Sequence, residues 1–146
     1  SVPERATALD AFYTDAQGDA LVVNKWFTIQ ATADNHKQMQ NVQVLRDHPD
    51  FTLSNPNRAR SLIAAFATNS KHFHRKDGQG YEFIADSVIA LDKLNPQVAA
   101  RLAGSFAQWR RFDTARQETM KAHLERIKST QGLSKDTFEV VLRSLQ

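Results

Sequence analysis

Apolar residues recur along the chain at intervals of three and four positions, which is the spacing of amphipathic helices. No long stretch alternates apolar and polar residues, so strands are not predicted. The pattern predicts eight helices. They lie over residues 3–13, from a cap at Asp19 to about 32, from a cap at Asn35 to about 47, from Asn55 to a loop at 69–80, over 81–94, from Asn95 to about 112, over 114–130 after a cap at Asp113, and from Ser134 to about 145.

The apolar stripe of the second predicted helix consists of Leu21, Val22, Trp26 and Ile29, which we expect to face the core. The clearest helix starts are the two Asn-Pro pairs, at Asn55 and at Asn95. An asparagine oxygen accepts a hydrogen bond from an otherwise unpaired amide, and proline suits the first turn because its missing N–H has no partner there.

The Asn-Pro segments also belong to a repeat. Residues 55–67 recur forty positions later as residues 95–107, with six of thirteen positions identical. A period near forty residues that is built from helix pairs is typical of HEAT and armadillo repeats. We therefore predict an all-α chain, a right-handed α-solenoid of about four antiparallel helix pairs, with residues 1–146 forming a single domain.

Composition narrows the functional classes. A hydrophobic content of 41% and a charged content of 24% are ordinary for a globular protein, and no apolar run is long enough to span a bilayer. The chain contains no cysteine, which suits a cytoplasmic protein. The net charge of +3 is small, and cations alternate with acids in segments such as 110–128, so an RNA-binding surface is the weakest of our hypotheses.

Catalytic motifs are missing from the sequence. We find no nucleophile elbow, phosphate-binding loop, dinucleotide fingerprint or His-Glu-x-x-His pair. His72 and His74 are two positions apart and have only Asp77 as a nearby third ligand, so a metal site is not predicted; we expect one of the two imidazoles to be exposed and the other packed. The chain by itself is expected to be inactive, an accessory or binding part rather than an enzyme.

The segment 73–81 is richer in functional side chains than a simple connection requires. It contains Phe73, His74, Asp77, Gly78, Gly80 and Tyr81. One interpretation is that these residues form an interface or line a pocket. The other is a well-packed loop in which the two aromatic rings are anchors and the glycines serve turns. The residues alone leave both interpretations open.

The Asn-Pro helices suggest a second candidate site. If their first turns face the concave side of a solenoid, a polar and cationic lining results, formed by Asn57, Arg58, Arg60, Gln97 and Arg101. Such a lining would favour carboxylates or peptide carbonyls. The alternative for each single arginine is an ordinary ion pair with a neighbouring acid.

Several motifs together resemble the C-terminal helical domain of bacterial aminopeptidase N, the broad-specificity zinc alanyl aminopeptidase. They are Val22-Val23-Asn24-Lys25-Trp26-Phe27, Asn55-Pro56-Asn57-Arg58, Phe73-His74-x-x-Asp77-Gly78-x-Gly80-Tyr81, Leu91-Asp92-x-x-Asn95-Pro96-Gln97-x-Ala99-x-Arg101 and Trp109-Arg110-Arg111-Phe112-Asp113. The resemblance extends from about residue 4 to residue 145, in the family's order.

The resemblance implies a parent enzyme of four domains whose catalytic domain holds zinc, while this chain has no cofactor of its own. It also implies that the helical domain closes over the active-site cavity and admits short peptides. Its partners would be the catalytic domain of the same polypeptide and the peptides in the cavity, with no nucleic acid and no membrane. Gln97 and Arg101 match positions that reach the cavity, Arg58 or Arg60 match less clearly, and the 73–81 segment would be an interdomain interface.

A second hypothesis remains beside this one. A free-standing helical-repeat scaffold that binds a protein partner through its concave face would have the same helix pattern and would also lack catalytic residues.

Overall fold

The computed structural model describes residues 19–146, and all regular structure in this range is helical. The α-helices are α1 (Ala20–Ala31), α2 (Gln38–Arg46), α3 (Pro56–Ala59), α4 (Ala65–Ala67), α5 (Ser70–Phe73), α6 (Gln79–Asp92), α7 (Pro96–Ala103), α8 (Thr114–Lys128) and α9 (Lys135–Leu145). A π-helical turn at Arg60–Ala64 joins α3 to α4, and 3₁₀ turns occupy Gly104–Phe106 and Trp109–Arg111. The all-α prediction is confirmed, while the helix predicted over residues 3–13 lies outside the described residues.

The chain divides into two compact units, one up to Asn69 and one from Ser70 onward. In the first unit, α1, α2 and the Pro56–Ala67 helical segment enclose an apolar core. Its most deeply buried members are Phe27, Ala31, Met39, Val42, Ala59, Leu62, Ile63 and Phe66. The Asp19 carboxylate caps α1 as predicted, since its Oδ1 accepts from the amides of Leu21 and Val22 at 3.1 and 3.3 Å.

The predicted inner face of α1 is wrong at two positions. Leu21 is 76% exposed and Ile29 is 38% exposed, whereas the buried face consists of Val23, Trp26, Phe27 and Ala31. Helix α1 carries apolar residues on both sides, so their spacing identifies a helix but does not determine which side is buried.

The start of α2 also differs from the prediction. Asn35 does not cap it; the Asn35 oxygen accepts from the Lys37 amide at 2.9 Å in a turn, and α2 begins only at Gln38. The buried Gln38 amide instead donates to the carbonyls of Gln30 and Ala31 at 2.8 and 3.0 Å. Gln38 therefore satisfies the free carbonyls at the end of α1.

The second unit contains α5 to α9. Its core is formed by Phe73, Tyr81, Ile84, Ala85, Val88, Leu91, Ala99, Ala103, Phe106, Met120, Leu124, Ile127 and Val141. Part of the predicted 69–80 loop is helical, because α5 occupies Ser70–Phe73 and α6 begins at Gln79. The caps predicted at Asp113 and Ser134 are confirmed. The Asp113 carboxylate accepts from the Arg116 amide, and the Ser134 hydroxyl oxygen accepts from the Thr137 amide.

Helix α7 is shorter than predicted, ending at Ala103 rather than near residue 112. The two 3₁₀ turns that follow bring Trp109 and Arg110 to the end of α9. There the indole N–H donates to the Ser144 carbonyl at 2.8 Å, and the guanidinium donates to the carbonyls of Ser144 and Leu145 at 3.0 and 2.9 Å. These bonds satisfy carbonyls that a helix end leaves unpaired, and they hold the turns after α7 against the end of α9.

A buried carboxylate connects the end of α6 to the start of α9. Asp92 is 6% exposed and accepts from the Ser134 amide at 2.7 Å, the Ser134 hydroxyl at 2.5 Å and the Thr137 hydroxyl at 2.6 Å.

Within residues 19–146, no helix is long and apolar enough to cross a membrane.

Candidate functional site

The segment 73–81 is anchored by two buried aromatic rings. Phe73 and Tyr81 are each 1% exposed, and their ring centroids lie 5.1 Å apart at an interplanar angle of 89°. The Tyr81 hydroxyl is 2.7 Å from the Nδ1 atom of His74. Burial raises the pKa of Tyr81 to about 12, so the phenol stays neutral and is available for this hydrogen bond.

His74 is held on three sides within the second unit. Its ring stacks on Phe112 with a centroid distance of 4.2 Å and an interplanar angle of 21°, and its backbone carbonyl accepts from Arg116 Nε at 2.8 Å. Burial, and then the positive charge of Arg116, lower the pKa of His74. The neutral imidazole is thus the form that this environment favours.

The turn of the segment is fixed locally. The Asp77 carboxylate pairs with Arg75 at 2.9 Å and accepts from the Gln79 amide at 3.0 Å. Partial burial acts to raise the pKa of Asp77, but these contacts outweigh it and lower the pKa. Gly78 has a φ of +78°, a conformation that favours glycine. A side chain at Gly80 would overlap the carbonyl oxygens of His72 and Phe73.

These contacts favour the interpretation of a well-packed loop, since its aromatic, acidic and glycine residues all have a local structural role. Its role as an interdomain interface stays a prediction. The expectation of one exposed and one packed histidine is wrong: His72 is buried and His74 is half-buried. His72 lies within α5, and His74, which follows it, packs against Phe73, Tyr81 and Phe112.

The predicted cavity-lining arginines of the first unit behave differently from each other. Arg58 is 9% exposed; its guanidinium donates to the Asn24 side chain and to the Asp50 carbonyl and lies 5.6 Å from the Phe27 ring centroid. Arg60 is exposed and donates to the Asn57 oxygen at 3.1 Å. Arg58 is therefore committed to holding its own unit, while Arg60 remains at the surface.

Gln97 and Arg101 lie together on the exposed side of α7, one helical turn apart. The helix is oriented by the Asn95 oxygen, which accepts from the Val98 amide at 3.2 Å, and by the buried side chains of Val98, Ala99, Leu102 and Ala103. Arg101 has no ion-pair partner among residues 19–146. A surface of this kind can bind a carboxylate or a peptide carbonyl.

The distribution of acids is a feature that the sequence motifs do not reveal. Residues 51–76 and 93–112 contain no Asp or Glu, although they carry nine of the 19 Lys and Arg residues. All 16 acids lie elsewhere in the chain. The small net charge therefore hides two acid-free segments, one around each Asn-Pro helix, and a count of acids along the sequence would have found them.

A metal site is not formed by the part of the chain that the structure describes, since no three His, Asp or Glu side chains come together there. The candidate surface consists of exposed Gln97 and Arg101 on α7, the helix that Asn95 caps.

The chain is similar to known proteins. A family model described as "domain of unknown function (DUF3458_C) ARM repeats" matches residues 1–146. Aminopeptidase N of Haemophilus influenzae is 46% identical over 143 residues, covering 97% of this chain and 16% of that protein. Aminopeptidase N of Escherichia coli K12 is 44% identical over 128 residues, covering 87% of this chain and 15% of that protein.

A solved structure is also similar. The crystal structure of Legionella pneumophila aminopeptidase A in complex with aspartic acid matches with a TM-score of 0.93 and 36% identity, over 99% of this chain and 17% of that chain. The chain thus spans about a sixth of the length of these relatives. The resemblance seen in the sequence motifs is confirmed: the chain belongs to the ARM-repeat domain family and is the C-terminal helical domain of an aminopeptidase N-like protein.

Proposed function

We propose that this domain closes the substrate cavity of a zinc-dependent, broad-specificity aminopeptidase and limits access to short peptides. The observation that carries the proposal is the similarity to aminopeptidase N over nearly the whole of this chain and only a sixth of the relative. A domain of this size without a catalytic set has its effect through enclosure and binding, and the remaining five sixths of the relative have room for the chemistry.

Zinc would belong to another part of the polypeptide. The described residues do not bring together ligands for it, so this chain is proposed to act without a cofactor of its own and beside the catalytic domain of the same polypeptide. A cytoplasmic location is part of the same proposal.

Gln97 and Arg101 are the residues through which the domain would contact a peptide. The Gln97 amide can donate to and accept from peptide backbone groups, and the Arg101 guanidinium can pair with the C-terminal carboxylate. Arg60 is a further surface candidate in the first unit, and the 73–81 segment is proposed to adjoin a neighbouring domain. Because a carboxylate lies at a different distance from the N-terminus in each peptide, a fixed cation selects peptides by length.

The test is the substitution Arg101→Ala in the full-length enzyme, assayed with alanine peptides of increasing length. We expect KM to rise about three- to fivefold for the lengths whose carboxylate reaches Arg101, the size of one partly solvated charge pair, with kcat little changed. Lys121→Ala, an exposed cation on α8, is the control. An unchanged length profile in Arg101→Ala would contradict the proposal.

A further inference from the structure

The segment 93–112 is unusual in its charge. It carries Lys93, Arg101, Arg110 and Arg111 and no acid over twenty residues, between Asp92 and Asp113. Mixed charges are the rule on a helix surface, because opposite charges one turn apart stabilise the helix. Here that compensation is missing.

Most of these cations are also free of partners in the fold. Arg110 is bound to the α9 carbonyls of Ser144 and Leu145. Lys93, Arg101 and Arg111 are exposed, and within residues 19–146 their side chains have no ion-pair partner. In helix α8 the situation is the opposite, since Arg116 pairs with Asp113 at 2.8 Å and Arg126 pairs with Asp86 at 2.9 Å.

The bounding acids do not neutralise the segment. Asp92 points into the fold, where it accepts three hydrogen bonds from Ser134 and Thr137. Asp113 is engaged by Arg116. The exposed side of α7 and the turns after it therefore carry cations that the two flanking acids do not pair with, and clustered cations concentrate anions and raise their rate of association.

We propose that residues 93–112 guide peptides with acidic side chains toward the cavity, so that the domain favours acidic peptides as a substrate class. This inference rests on the proposed function, because Gln97 and Arg101 belong to the same helix. It adds Lys93 and Arg111, which were not among the predicted lining residues, as residues that set specificity by long-range attraction. Lys93 and Arg111 would raise the rate at which the enzyme and an acidic peptide associate, and salt would screen this effect.

The experiment uses the full-length enzyme and two hexapeptide amides, Ala-Ala-Glu-Glu-Ala-Ala and Ala-Ala-Gln-Gln-Ala-Ala. Both lack a C-terminal carboxylate, so the length effect of Arg101 is removed from the comparison. The variants are the double substitution Lys93→Gln with Arg111→Gln, and the control Lys121→Gln. Lys121 is equally exposed, but Glu118 and Glu125 lie one turn before and after it on α8.

At low ionic strength we expect the double variant to lose about four- to ninefold in kcat/KM on the Glu peptide, roughly two- to threefold per charge, and less than twofold on the Gln peptide. The difference should disappear in 0.5 M salt, and the control should match the wild type. An equal loss on both peptides, or no loss on the Glu peptide, would overturn the inference. The length profile of Arg101→Ala tests the proposed function separately, so each failure can be recognised.

Discussion

The two Asn-Pro helices begin with the same chemistry and differ in the buried charge that lies near each. In each, the asparagine oxygen accepts from the amide three residues on, at 3.1 Å in the first and 3.2 Å in the second. The first is then tied to its unit by the buried guanidinium of Arg58. The second has Val98 at that position, and the nearby buried charge is the carboxylate of Asp92, three residues before the cap, which accepts hydrogen bonds from the start of α9.

The repeats also differ six positions after the cap. There the first helix has Ser61, which is buried and whose carbonyl accepts from the Thr28 hydroxyl at 2.9 Å. The second helix has the exposed Arg101 at the same position. The first repeat thus buries Arg58 in its own unit and leaves Arg60 at the surface, whereas Arg101 of the second repeat is exposed.

Removing the Asp92 carboxylate should have the largest effect on stability. Asp92→Ala leaves the Ser134 and Thr137 hydroxyls without their acceptor and removes a charged partner from the start of α9, so we expect a loss of about 3 kcal/mol in the free energy of unfolding. Urea unfolding measures it. Glu139→Ala, which removes only an exposed ion pair of 3.9 Å, should cost less than about 0.5 kcal/mol. Similar losses for both would show that Asp92 is not an anchor.

The matched pair Arg58→Met and Arg101→Met tests the comparison itself. Arg58→Met keeps an unbranched apolar chain in place of the aliphatic part of arginine but removes donors to Asn24 and Asp50, and we expect a loss of about 1–2 kcal/mol in the free energy of unfolding. Arg101→Met should change the free energy of unfolding by less than about 0.5 kcal/mol, because its side chain is exposed. If Arg101→Met were the more costly of the two, the assignment of their roles would be reversed.

Substitution of the two N-cap asparagines tests the feature that the two helices share. Asn55→Ala and Asn95→Ala each remove one acceptor from a helix start, so both should cost about 1 kcal/mol. Asn57→Ala, two residues inside the first helix and exposed, serves as the reference and should have little effect. Urea unfolding measures both losses in the free energy of unfolding. Unequal losses would mean that the two helix starts differ in stability although their cap hydrogen bonds are similar.

The smallest expected effect is a pH dependence of the free energy of unfolding, which arises from His74 in the second unit. The pKa of His74 is lowered in the folded state, by burial and by Arg116, relative to its ordinary value of 6.5. The stability that the neutral ring contributes is therefore complete above pH 6.5 and is lost as the pH falls from 6.5 through the lower folded-state pKa. Burial and Arg126 lower the pKa of His123 as well, so the two contributions must be separated.

His74→Gln isolates that contribution. Its unfolding free energy should fall less between pH 7 and pH 5 than that of the wild type, whereas the exposed-site variant His36→Gln should follow the wild type. A steeper acid loss in His74→Gln would contradict the lowered pKa.

Local chemistry explains what could be predicted from the sequence. The caps at Asp19, Asn55, Asn95, Asp113 and Ser134 involve amides only two or three residues away, so a sequence window contains both partners. The forty-residue repeat and the set of motifs are likewise written in the order of residues along the chain, which is why the sequence alone was enough to indicate the family.

The features that were missed depend on distant partners. Arg58 donates to Asn24, 34 residues earlier, and the turns after α7 are held by the bond from Trp109 to Ser144, 35 residues later. Neither contact leaves a signal in its own neighbourhood. The two sides of α1 both look apolar, and only the packing against α2 and the Pro56–Ala67 segment determines that Trp26 is inside and Leu21 outside.

The most direct test of the central claim compares the enzyme with and without this domain. A polypeptide lacking residues 1–146 would be assayed on peptides from three to thirty residues, alone and with the present chain added in trans. The account predicts that discrimination against long peptides is lost on removal and returns with the added wild-type chain. A truncated enzyme that keeps the length preference of the intact one would contradict it.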